Sequence, residues 1–89
     1  MNNNLTIRER KHLLRIKEMD CIVCGASGPS SAHHVLQHQQ YLCLPLCHDC
    51  HQNPRLGIHG ERYAWKLRKM NELLALNLLI ERLVNDTHR

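Results

Sequence analysis

The segment Cys47-His48-Asp49-Cys50-His51 holds the residues best suited to chemistry. Its CxxC unit matches a second one, Cys21-Ile22-Val23-Cys24, with 22 residues between the two. Each unit lets two thiolates reach one ion. Two units together make the donor set of a closed tetrahedral zinc site. One structural Zn2+ is therefore expected on Cys21, Cys24, Cys47 and Cys50. Such a site has no open position for a substrate, so its role is structural. The fifth cysteine, Cys43, sits in the apolar run Leu42-Cys43-Leu44-Pro45-Leu46 and reads as a small buried hydrophobe.

His51 has no task in a four-cysteine site. Six of the eight histidines lie between His33 and His59, close to the cysteines. His33, His51 and His59 form a second candidate ligand set, because three neutral imidazoles with waters suit a divalent ion. Adjacent residues of a strand point to opposite faces, so His34 would not share the ion of His33. It would instead act beside that ion as a base, taking a proton from a water aimed at a phosphodiester. Imidazole, with an ordinary pKa of about 6.5, suits a base near neutral pH. His48 is a fallback ligand, although its place inside the knuckle favours exposure.

Several elements must position these groups. Thr6-Ile7-Arg8-Glu9 reads as a capping box opening a helix over about 6–18. Ile7, Leu13, Leu14 and Met19 supply its apolar positions, and Arg8, Arg10, Lys11, Arg15 and Lys17 a basic face. That face suits either solvent or a DNA backbone. Gly25 can take the positive φ that closes the first knuckle. Residues 32–36 and 41–46 suggest a β-hairpin with a loop of three to five residues. A short helix is expected after Cys50, with Asn53-Pro54-Arg55-Leu56-Gly57 looping out. Helical structure then restarts at Ile58 or His59 and runs to Lys69. Asn71 is a candidate N-cap for a last helix. There Leu73, Leu76, Ile80, Leu83 and Val84 recur at helical spacing, widened by Leu74, Leu78 and Leu79. The stripe reads mainly as core, with a homodimer or a partner helix as its other use.

The 89 residues suffice for one small domain. A domain of this size buries only about 60–65% of its unfolded surface. With no Phe, two Tyr and one Trp, the core must be aliphatic, and a bound metal would compensate. The polar start Met1-Asn2-Asn3-Asn4, with no apolar h-region after it, argues against a secretory signal. No apolar run approaches the roughly 20 residues of a membrane span. The expected location is the cytosol, where paired cysteines serve metals more often than disulfides. The net charge of +4 is compatible with a nucleic-acid partner. Few aromatics argue against recognition of single strands by base stacking.

Three segments carry a family resemblance: Ala32-His33-His34-Val35, Leu44-Pro45-Leu46-Cys47-His48-Asp49-Cys50-His51 and Ile58-His59-Gly60. Together they resemble the core of HNH endonucleases, the ββα-metal fold. The lead-in from Arg8 to Cys24, and Gly57-Ile58-His59-Gly60 followed at Trp65 by a helix, are similar to small phage and prophage proteins of the recombination-enhancing (Ref) and YbcO-like kind. The resemblance spans about residues 8–75. It implies a small α+β fold: a zinc-stapled ββα-metal core at 21–60, an N-terminal helix at 6–18 and C-terminal helices at 61–87 in a single domain 1–89. His34 takes the position of the general base, and His33, His51 and His59 those of the catalytic metal ligands. The family hydrolyses DNA phosphodiester bonds with Mg2+ or a similar ion; Mn2+, Ni2+ or Zn2+ would also suit the ligands. A recombination protein is a further partner the resemblance suggests.

Two features depart from the family pattern. Leu42 lies near the place of the usual middle Asn, which helps hold the general base. Gln39, Gln40 or a backbone carbonyl could take that task. The interval from His51 to His59 also exceeds one helical turn, so a loop around Pro54 must bring His59 back. Arg55, Arg62, Lys66 and Lys69 are candidate contacts to DNA phosphates, which position a duplex without reading its sequence. The rival to a nuclease is a zinc-stabilised DNA-binding or adaptor module with weakened catalysis. A third reading is an interaction module built on the leucine stripe.

Overall fold

The computed structural model describes residues 4–86. The expected domain ends at residues 1–3 and 88–89, and the expected end of the last helix at residue 87, lie outside them. The chain forms an α+β fold with the order α1 (Ile7–Glu18), β1 (Ser31–His34), β2 (Cys43–Leu46), α2 (His48–His51), α3 (Tyr63–Leu67) and α4 (Glu72–Asp86).

The capping box forms as expected. Thr6 Oγ1 accepts from Glu9 N at 3.0 Å, and Glu9 Oε1 accepts from Thr6 N at 2.8 Å. The buried face is partly the expected one: Leu13 and Met19 pack against the core. Ile16 is the fully buried residue of α1, while Ile7 and Leu14 are 73% and 61% exposed. Ile16 lies in the last full turn, where α1 packs against both strands.

β1 and β2 pair antiparallel, with Ala32 opposite Pro45 and His33 opposite Leu44. A proline lacks the N–H for a central strand, but its carbonyl remains useful. Pro45 O accepts from Ile22 N at 2.9 Å, which fastens the first knuckle to β2. All four residues of β2 are buried. The connection between the strands is longer than the expected three to five residues. It occupies residues 35–42 and folds on itself through Gln39 N to Leu36 O and Leu42 N to Gln39 O. His38 turns it at φ 69°.

α2 begins before Cys50, at His48, because Cys47 caps it: Cys47 Sγ accepts from Cys50 N at 3.4 Å. No helix restarts at Ile58 or His59. Arg62 adopts a left-handed φ of 60° immediately before α3, which delays the helix to Tyr63. The expected Asn71 cap is present, its Oδ1 accepting from Leu74 N at 2.8 Å. α4 packs against β2 and buries Ala75 and Leu79. The leucine stripe is thus only partly core. Leu76, Leu78 and Leu83 flank the buried seam, while Leu73 and Ile80 are 77% and 52% exposed.

The core collects Ile16, Ile22, Val23, Leu44, Leu46, Ile58, Trp65, Ala75 and Leu79 around three buried cysteines, Cys21, Cys43 and Cys50. Trp65 is its largest member, and its Nε1–H donates to Cys50 O at 2.8 Å. That bond ties α3 to the second knuckle. No helix among the described residues is long and apolar enough to cross a membrane.

Candidate metal centres

The two knuckles meet where α1, β2 and α2 converge. Cys21, Cys24, Cys47 and Cys50 place their sulfurs within 4.8 Å of one another. Cys24 Sγ and Cys47 Sγ are 3.6 Å apart. Two sulfurs each about 2.3 Å from one tetrahedral zinc stand about 3.8 Å apart, so the cluster fits such an ion. Cys24 N donates to Cys21 Sγ at 3.5 Å, as Cys50 N does to Cys47 Sγ. Gly25, at φ +79°, closes the first turn, with its N–H on Cys21 O.

The thiols differ in acidity. Burial pushes the Cys21 thiol up, but backbone N–H groups at its sulfur outweigh this and bring it down to about 7. Burial raises Cys47 and Cys50, and the Cys21 charge raises both further. One thiolate therefore opposes the ionisation of the others. A dication would remove that opposition, so the four cysteines could together hold one structural metal such as zinc. Cys43 stands apart, as expected. It is fully buried, its Sγ–H donates to Gln40 O at 3.2 Å, and burial pushes its pKa up to about 11.

The second cluster is His33, His51 and His59, each with a ring nitrogen within 4.8 Å of the others. The ring centroids stand 4.8 to 5.1 Å apart. His59 Nε2 is 3.1 Å from His51 Nε2. Two nitrogens each about 2.1 Å from one ion stand about 3.0 to 3.4 Å apart between right and tetrahedral angles, so this spacing fits a shared cation. Burial lowers the pKa of His51 to about 4, helped by the neighbouring His33, His59 and His48. His51 is neutral at pH 7 and keeps a lone pair. Its Nδ1 is buried with no hydrogen-bond partner. His48 is exposed, as expected for its place in the knuckle.

The long interval to His59 is closed by a tight loop. Asn53 Oδ1 accepts from Arg55 N at 2.9 Å and Leu56 N at 3.1 Å. Ile58 N then reaches Cys50 O at 2.9 Å, and His59 N reaches His51 O at 3.3 Å. Gly57 permits this approach, since a Cβ there would lie 2.7 Å from the His51 carbonyl.

His33 is the buried polar residue of β1, 7% exposed, and its Nε2 lies 2.7 Å from Glu72 Oε2. His34 is half-buried and has a different partner: its Nε2 lies 2.9 Å from Gln40 Oε1. The long interstrand loop is what brings Gln40 back to His34. Arg55, Arg62, Lys66 and Lys69 are all exposed, on the His59 loop and around α3. Arg55 lies over the Tyr63 ring at 5.2 Å, and Arg62 Nε–H donates to Ile58 O at 3.0 Å. Glu72 and Trp65 were not foreseen as site residues. Glu72 lies 39 positions from His33, and only tertiary packing joins them. No protein family, curated protein or solved structure matches the chain.

Proposed function

We propose that this protein is a small HNH-type, metal-dependent DNA endonuclease stapled by a structural zinc on Cys21, Cys24, Cys47 and Cys50. The observation that carries the reading is the convergence of His33, His51 and His59 from a strand, a helix and a loop onto one point. Next to them in sequence, His34 has its own polar support in Gln40. A divalent ion such as Mg2+, held by the three histidines, would polarise the phosphate and stabilise the leaving oxygen.

The chain's own residues do the rest. When His34 Nε2–H donates to Gln40 Oε1, the lone pair lies on Nδ1, the nitrogen that takes the proton of the attacking water. Gln40 thereby serves where the family uses its middle Asn. The exposed Arg55, Arg62, Lys66 and Lys69 would neutralise phosphates beside His59 and hold the duplex. By resemblance, the setting is DNA processing or recombination of a phage or prophage in the bacterial cytoplasm.

The test is incubation with plasmid and branched DNA in Mg2+ or Mn2+, beside the His34→Ala variant. Nicking is expected from the wild type. In the variant it should fall about 10²- to 10⁴-fold, the range for loss of a general base. DNA binding without cleavage on every substrate and metal would replace the nuclease with an adaptor module.

A further inference from the structure

We propose that Glu72 is the positioning residue of the histidine centre, fixing the tautomer and orientation of His33 from the C-terminal helix. The inference rests on reading His33, His51 and His59 as a metal site. A buried imidazole needs a partner for its N–H, and His33 Nε2 finds Glu72 Oε2 at 2.7 Å, a charge-assisted distance. The carboxylate accepts, so Nε2 carries the proton and Nδ1 keeps the lone pair for an ion. Metal-binding histidines commonly use their second nitrogen in this way.

The placement of Glu72 is built into the fold. It is the first residue of the 15-residue α4, where a negative charge suits the helix dipole. Asn71 caps that turn. Ala75 and Leu79, 0% and 1% exposed, lock the helix into the core. The carboxylate is 32% exposed, so solvent reaches it while the His33 ring is covered. The C-terminal helix, which supplies no ligand, is thereby joined to the site.

The test uses full-length protein with zinc in the cysteine site, and Co2+ as the probe of the histidine site. Long-range ¹H–¹⁵N correlation spectra of the Co2+-free protein should show His33 protonated at Nε2. Glu72→Ala should turn this into a mixture of tautomers and weaken Co2+ binding about 10- to 100-fold, with one zinc per chain retained. Glu72→Gln, which keeps an acceptor oxygen without the charge, should keep the tautomer and lose less affinity. An Nδ1–H His33 in the wild type, or unchanged Co2+ affinity in folded Glu72→Ala, would overturn the role of Glu72. Failure of the wild type to bind Co2+ at all would remove the metal site itself.

Discussion

His34 and Cys43 sit opposite each other across the sheet and obey different rules. His34 depends on one side-chain contact, Gln40 Oε1 at 2.9 Å. Gln40→Leu should leave DNA binding and KM unchanged and lower kcat about 10- to 100-fold, as loss of an orienting partner does. Gln40→Glu would add a charge that favours the imidazolium, so the acidic limb of the pH–rate profile should move to higher pH. An unmoved limb, with kcat also unchanged in Gln40→Leu, would mean that His34 is not the base. The acidity of Cys43 is governed by burial alone. Its pKa, raised from 9.0 to about 11, keeps it a thiol at pH 8. Iodoacetamide should therefore leave Cys43 unmodified in the zinc-loaded protein and label it after unfolding. The same shift favours the folded state fully below pH 9. That contribution is lost as pH rises toward 11, because the unfolded chain releases the proton first.

At the scale of elements, the histidine centre depends on the return of residues 53–60 to α2. Gly57 packs against backbone, the His51 carbonyl and Asn53 N, which cannot swing aside as a side chain could. Gly57→Ala should cost about 1–3 kcal/mol by overpacking. It should abolish Co2+ binding at the histidines while zinc remains bound, as metal analysis of the purified variant would show. Retention of both metals would mean that His59 is not a ligand. Local chemistry explains which parts of this architecture could be read in advance. The Thr6 capping box, the Asn71 cap, the two knuckles and the alternation of His33 and His34 each depend on a few neighbouring residues. The α3 start did not follow from such signals, because Arg62 takes a left-handed conformation that its residue type does not announce. The outward turn of Leu73 and Ile80 was hidden for another reason. A leucine-rich stripe states which residues are apolar, but β2 decides how much of it is covered. Glu72 was invisible because a contact over 39 positions leaves no periodicity or spacing to detect.

For the molecule as a whole, the four-cysteine cluster joins the parts of a thin core. Two of its ligands, Cys21 and Cys50, are themselves core residues, 0% and 2% exposed. The first knuckle joins α1 to β2 through Ile22 and Pro45, and the second starts α2 and receives the Trp65 bond. Removing the ion would leave four thiols in close contact and Cys21 readily ionised among them. Structural zinc contributes about 10–16 kcal/mol of apparent binding energy at pH 7 in zinc-finger peptides, as large as the roughly 5–15 kcal/mol by which most domains are stable at all. Zinc extraction with a mercurial and a chelator should therefore abolish cooperative thermal unfolding and the near-ultraviolet signal of Trp65, and added Zn2+ after thiol regeneration should restore both. His51→Ala should melt cooperatively, since the histidine centre adds no such staple. An apoprotein with wild-type unfolding would show that the aliphatic core suffices and that the cysteine cluster serves some purpose other than holding the fold.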